Sequence, residues 1–63
     1  MDNHTAIGIA EGFIDPQSES QVVEAWQHLI DTGIAWTLQG WFGREAMRLI
    51  DEGVCEAPKE AAL

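Results

Sequence analysis

The chain has 63 residues, a formal net charge of −8 and a single cysteine, with eleven acids against three basic residues. Below roughly 70–80 residues one hydrophobic core rarely supplies more than about 3–5 kcal/mol, so a chain of this length forms one domain and needs a staple or a partner. The charge argues against direct contact with nucleic-acid phosphates or an anionic membrane surface, and one cysteine excludes an intrachain disulfide.

A lone cysteine also fits a reducing compartment. Zinc needs about four ligands, and His4, His28 and Cys55, the only nitrogen and sulfur ligands, lie far apart in sequence. No metal or cofactor is expected, and oligomerisation remains as the source of extra stability.

Residues 1–15 carry no helical signal. Thr5 to Ile9 alternates weakly, which suits a short strand or a flexible arm. The start lacks a basic stretch followed by an apolar run, and nothing approaches the roughly 20 apolar residues of a spanning helix. A cytoplasmic protein without a membrane partner is expected.

Asp15-Pro16 punctuates the chain, and a helix over 18–32 follows. Ser18 caps it, Gln21 stands three residues on as a capping-box partner, and Gly33 stops it. Val22, Val23, Trp26, Leu29 and Ile30 share one arc, with Ser20, Glu24, Gln27, His28 and Asp31 opposite. The segment 35–53 is a second helix, interrupted by Gly40 and Gly43, each costing about 1 kcal/mol relative to Ala. Read as one straight helix it has two apolar stripes, and Glu45 and Glu52 fall inside the first. A bend at the glycines relieves that conflict. Residues 16–54 thus form a helical hairpin domain, with 55–63 a disordered tail. The fold class is all-α, completed as a homodimeric helical bundle.

The densest feature is Trp36-Thr37-Leu38-Gln39-Gly40-Trp41-Phe42-Gly43-Arg44. Trp26, Trp41 and Phe42 read as core, because aromatics are how a tiny core buries area. Trp36, Gly40, Gly43, Met47 and Ile50 lie on the second stripe and read as the self-association face. The glycine spacing does not match a phosphate loop, which needs a longer run and a Lys. Arg48 reads as an intrahelical partner of Asp51 or Glu52, and His28 as a solvated partner of Glu24. Cys55 stands beside Glu56, which raises a thiol pKa. A helix-turn-helix reading would lay Glu45, Asp51 and Glu52 in a DNA groove, a poor surface for that purpose.

The run Ala35-Trp36-Thr37-Leu38-Gln39-Gly40-Trp41-Phe42-Gly43-Arg44, after Leu29-Ile30-Asp31-Thr32-Gly33, resembles a family of short uncharacterised proteins of tailed bacteriophages and prophages. The resemblance covers Val22 to Gly53, about half the chain. It implies a phage origin and a place in the bacterial host cytoplasm, and it brings no catalytic residues. The expected function is that of a small acidic accessory protein. It would bind and modulate or inhibit a host protein, such as a defence or nucleic-acid-handling factor, through a basic surface on that partner. Glu24, Asp31, Glu45, Asp51 and Glu52 are the candidate contacts. A virion structural or assembly component and a small helix-turn-helix-like regulator are the alternatives. An enzyme is not expected, since no acid, base and nucleophile converge and so small a chain has little room to hold them rigidly.

Overall fold

A computed structural model describes residues 1–58. Three α-helices follow one another: α1 over Asn3–Glu11, α2 over Glu19–Asp31 and α3 over Gly40–Asp51, with one 3-10 turn over Ile34–Trp36 between the last two. Among the described residues there is no strand, so the all-α reading holds.

The start of the chain departs from expectation. Instead of a flexible or strand-like arm at 1–15, it folds as α1. Asp2 caps the helix, accepting from the Thr5 N–H at 2.8 Å. That bond is the main reason the Asp2 carboxyl titrates below its ordinary range. Gly12, at φ 87°, closes it. The Gly12 N–H donates to Ile9 O and the Phe13 N–H to Gly8 O, the paired bonds that end a helix on a left-handed residue. Ala6, Gly8 and Ile9 of this helix are buried, and α1 packs on α2.

The expectations for α2 hold closely. Ser18 accepts from the Gln21 N–H at 3.2 Å. Gln21 reaches back as a capping-box residue does, but its Oε1 accepts from the Gln17 N–H at 2.7 Å, one residue upstream of the cap. Gly33, at φ 80°, follows the last turn. Trp26, Leu29 and Ile30 are buried as expected, and Ala25 joins them because α1 covers a second side of the helix.

The second helical segment is not one rod. Thr37 ends the 3-10 turn, both its N–H and its hydroxyl donating to Ile34 O at 2.9 Å. The chain then restarts at Gly40, so the break falls at 37–39, just before the first glycine rather than at Gly43. Phe42, Ala46 and Leu49 point inward from α3. Phe42 and Trp26 bring α3 to α2, with ring centroids 5.8 Å apart. Trp41 meets Trp26 edge-on at 6.2 Å but stays 38% exposed, so it edges the core rather than filling it.

The end of α3 repeats the end of α1. Gly53 donates to Ile50 O, Val54 and Cys55 to Leu49 O, just as Gly12, Phe13 and Ile14 donate to Ile9 O and Gly8 O. In both turns the second residue after the glycine folds inward: Ile14 packs over Gly8, and Cys55 is buried. Cys55 and Glu56 are therefore tied to the fold; of the expected disordered tail at 55–63, residues 59–63 lie outside the described residues. The Gln27 amide clasps this segment. Its Nε2 donates to Glu56 O at 3.0 Å and its Oε1 accepts from the Glu56 N–H at 2.8 Å.

Two outcomes test this packing. A Cβ on Gly8 would stand 2.5 Å from Ile14 Cδ1. Gly8→Val should therefore destabilise the protein by about 1–3 kcal/mol in urea unfolding, the usual cost of overpacking. Gln27→Leu keeps the bulk but removes both bonds to Glu56. Amide hydrogen exchange at Glu56 should then rise several-fold while exchange in α1 is unchanged.

Candidate functional site

The residues read as a self-association face do come together. Trp36, Gly40, Gly43 and Met47 line one open groove of about 740 Å³, with Arg44, Arg48, Asp51 and Glu52 along it. Ile50 does not line it; that side chain is half-buried and packs against the core. The groove exists because α3 is a separate helix. The turn at 37–39 sets Trp36 beside the side chains of α3 instead of in line with them. Small residues let it lie close, since a Cβ on Gly43 would stand 3.2 Å from Trp36 Cδ1. Trp36 and Met47 remain 42% and 47% exposed, so the floor of the groove is apolar and uncovered.

The rim is charged. Arg48 holds two carboxylates of its own helix: its Nε donates to Glu45 Oε1 at 3.0 Å and its Nη1 to Glu52 Oε2 at 2.9 Å. Its sequence-expected partners were Asp51 or Glu52; the structure selects Glu52 and adds Glu45, which lie on the same flank of the helix at spacings of four and three. The conflict of acids within an apolar stripe is eased because the inward line of α3 is Phe42, Ala46 and Leu49, which leaves Glu45 and Glu52 at the outer edge of that face beside the partly exposed Trp41. Hydrogen bonding to Arg48 is the main cause that lowers the Glu45 pKa, and the two carboxylates together raise that of Arg48. Arg44 makes no ion pair among the described residues. Its guanidinium folds back over the start of α3, where a Cβ on Gly40 would stand 3.2 Å from Nη1.

The five carboxylates proposed from the sequence as a partner surface are in unlike states. Glu45 and Glu52 are tied to Arg48. Asp31 accepts from Gln27 Nε2 at 3.0 Å. Glu24 and Asp51 are exposed and make no side-chain hydrogen bond among the described residues. The structure thus groups Asp51 and Glu52 with the groove, and leaves Glu24 and Asp31 two turns apart on α2, on the flank that carries the Gln27 clasp.

Two of the three residues with reactive potential, His28 and Cys55, are occupied, and His4 is exposed on α1. His28 Nε2 lies 2.7 Å from Asn3 Oδ1, so its partner is on α1 and not Glu24. Cys55 is buried with its thiol directed at the Val23 carbonyl. Burial first, and then the Asp31 charge, raise its pKa; the sequence pointed to Glu56 as that charge. Among the described residues no three His, Cys, Asp or Glu side chains stand close enough to hold a metal ion, and no helix is long and apolar enough to cross a membrane.

Sequence reasoning missed Phe13. It sits on the turn that closes α1 and is 83% exposed, more than any other large apolar side chain described. The signal was available in Gly12-Phe13-Ile14. A helix-ending glycine is often followed by an apolar residue that packs back on the helix, but here Ile14 takes that place over Gly8 and Phe13 is turned outward.

No curated protein and no solved structure is similar to this chain. One family model matches, over residues 7–62, which takes in most of α1 and all of α2 and α3. The protein belongs to that family, described as a domain of unknown function (DUF7417).

Proposed function

We propose that the protein acts by binding another protein and not by catalysis. In this reading it is an accessory protein of phage origin that modulates or inhibits a protein of the bacterial cytoplasm. The observation that carries the binding reading is the distribution of charge. Both arginines of the described chain line the groove, and the rest of the described surface bears acids with no Arg or Lys among them. Such a surface steers a basic partner toward it and repels acidic ones. The engagement of His28 by Asn3 and the burial of Cys55 support the same reading, because they occupy the thiol and one of the two imidazoles, and the other, His4, stands exposed at the start of α1.

Within the acidic surface the unpaired carboxylates Glu24 and Asp51 contribute most. Glu45, Glu52 and Asp31 already have partners and gain less from a new one. The groove is a second contact surface, which shares Asp51 with the first and differs from it in holding both arginines. Self-association belongs there, through Trp36, Gly40, Gly43 and Met47. The four-helix homodimeric bundle has less reason to form than the sequence suggested, since α1 already covers part of the apolar surface a second copy was invoked to cover.

Tagged protein should retain one dominant protein from bacterial lysate at low salt. The double substitution Glu24→Gln with Asp51→Asn should reduce that retention at least tenfold, and 0.5 M NaCl should do the same. The substitution Glu45→Gln should have a smaller effect. Retention that is indifferent to both salt and charge removal would exclude the acidic surface as the binding site.

A further inference from the structure

Two features of the surface are complementary and lie apart on the same chain. One is a knob: Phe13 stands out from the turn after α1, with Glu11 and Asp15 exposed on either side of it. The other is the groove, whose uncovered floor is Trp36 and Met47 and whose rim holds Arg44, without an ion-pair partner among the described residues. Phe13 is not among the residues lining the groove of its own chain. We propose that the groove receives the Phe13 turn of a second copy, the ring resting against Trp36 and Met47 and Glu11 or Asp15 pairing with Arg44. This rests on the reading of the groove as a contact surface.

Charge selects this occupant. Each copy carries −8, so two copies repel over most of their surfaces. At physiological ionic strength that repulsion is screened beyond about 8 Å, and the charges at the contact decide. The groove holds both arginines of the described surface beside Asp51 and Glu52; Arg48 is taken up by Glu45 and Glu52, so Arg44 is the cation left to meet an acidic segment of the same protein.

The contact is heterologous. Each chain has one knob and one groove, so assembly proceeds head to tail and either closes into a ring or continues as an open string. The ring and its groove bury less than the roughly 1,000 Å² of a stable interface, so the association is weak and concentration-dependent.

Analytical ultracentrifugation of the full chain over a range of concentrations tests this. The weight-average mass of the wild type should rise with concentration. Phe13→Ala and Met47→Asp, both at exposed positions, should each remain monomeric, with far-UV circular dichroism confirming that the helices persist. Arg44→Glu should weaken assembly at least tenfold. An equimolar mixture of Phe13→Ala and Met47→Asp is the decisive sample. The first variant keeps an intact groove and the second an intact knob, so the mixture should form a discrete one-to-one dimer and nothing larger. A wild type that stays monomeric at millimolar concentration would overturn the proposal. So would a Phe13→Ala variant that assembles like the wild type, and a Met47→Asp defect without a Phe13→Ala defect would assign the groove to two-fold pairing. None of these outcomes bears on retention of a bacterial protein through Glu24, which is on α2 and not among the residues lining the groove, so the two readings fail separately.

Discussion

The fold depends on α2 being covered from two sides. An amphipathic helix with a single apolar arc needs one neighbour, and a chain this short can rarely provide more. Here α2 has α1 against one flank and the 3-10 turn with the aromatic side chains of α3 against another, and Ala25, Trp26, Leu29 and Ile30 are buried between them. Take away either neighbour and the helix keeps its cap at Ser18 but loses part of what hides it from water. With no disulfide available, this double coverage stands where a covalent staple would in other small domains.

The helix ends are what make the coverage possible. Each of the three turns that follow an α-helix contains a glycine at positive φ, and in two of them the chain reverses and returns a side chain to the core within two residues. Ile14 and Cys55 occupy matching places in those turns. Reversals this tight let 58 described residues enclose a core without long loops, and they account for the outward residue of each turn as well: Phe13 in the first and Val54 in the second are exposed because their successors are not.

Much of this was legible in the sequence, and the parts that were not have physical reasons. The cap at Ser18, the stop at Gly33 and the apolar arc of α2 are strong local signals, and the structure follows them. Helix α1 was hidden because its buried face is built from Ala6, Gly8 and Ile9, of which two are small, and their pattern barely separates an apolar side from a polar one. The cap Asp2 with Thr5 three residues on, and the stop at Gly12, were its readable marks. The break in the second segment was legible only as a contradiction, Glu45 and Glu52 lying in an apolar stripe. Its position before Gly40 depends on Thr37 bonding back to Ile34, which periodicity does not reveal. At the groove, Trp36, Gly40, Gly43 and Met47, which helical spacing put on one stripe, line one surface even though the helix is not continuous. Ile50 was misplaced because the rotation of α3 about its own axis is set by Phe42, Ala46 and Leu49. Phe13 was missed because exposure is a property of the turn and its inward-facing successor, and not of the residue.

The burial of Cys55 gives the molecule an internal clock. It is the only thiol in the chain, and it is covered where the last turn folds back under the Val23 carbonyl. An alkylating reagent can reach the sulfur only while that turn is lifted from α2. The labelling rate in the limit of fast reclosing is therefore the intrinsic thiol rate multiplied by the fraction of time the C-terminal turn is open. A partner that sits on α3 or on the clasp at Gln27 slows that clock without touching the thiol, so one cysteine converts occupancy at a distant surface into a rate that can be read from a single modified atom.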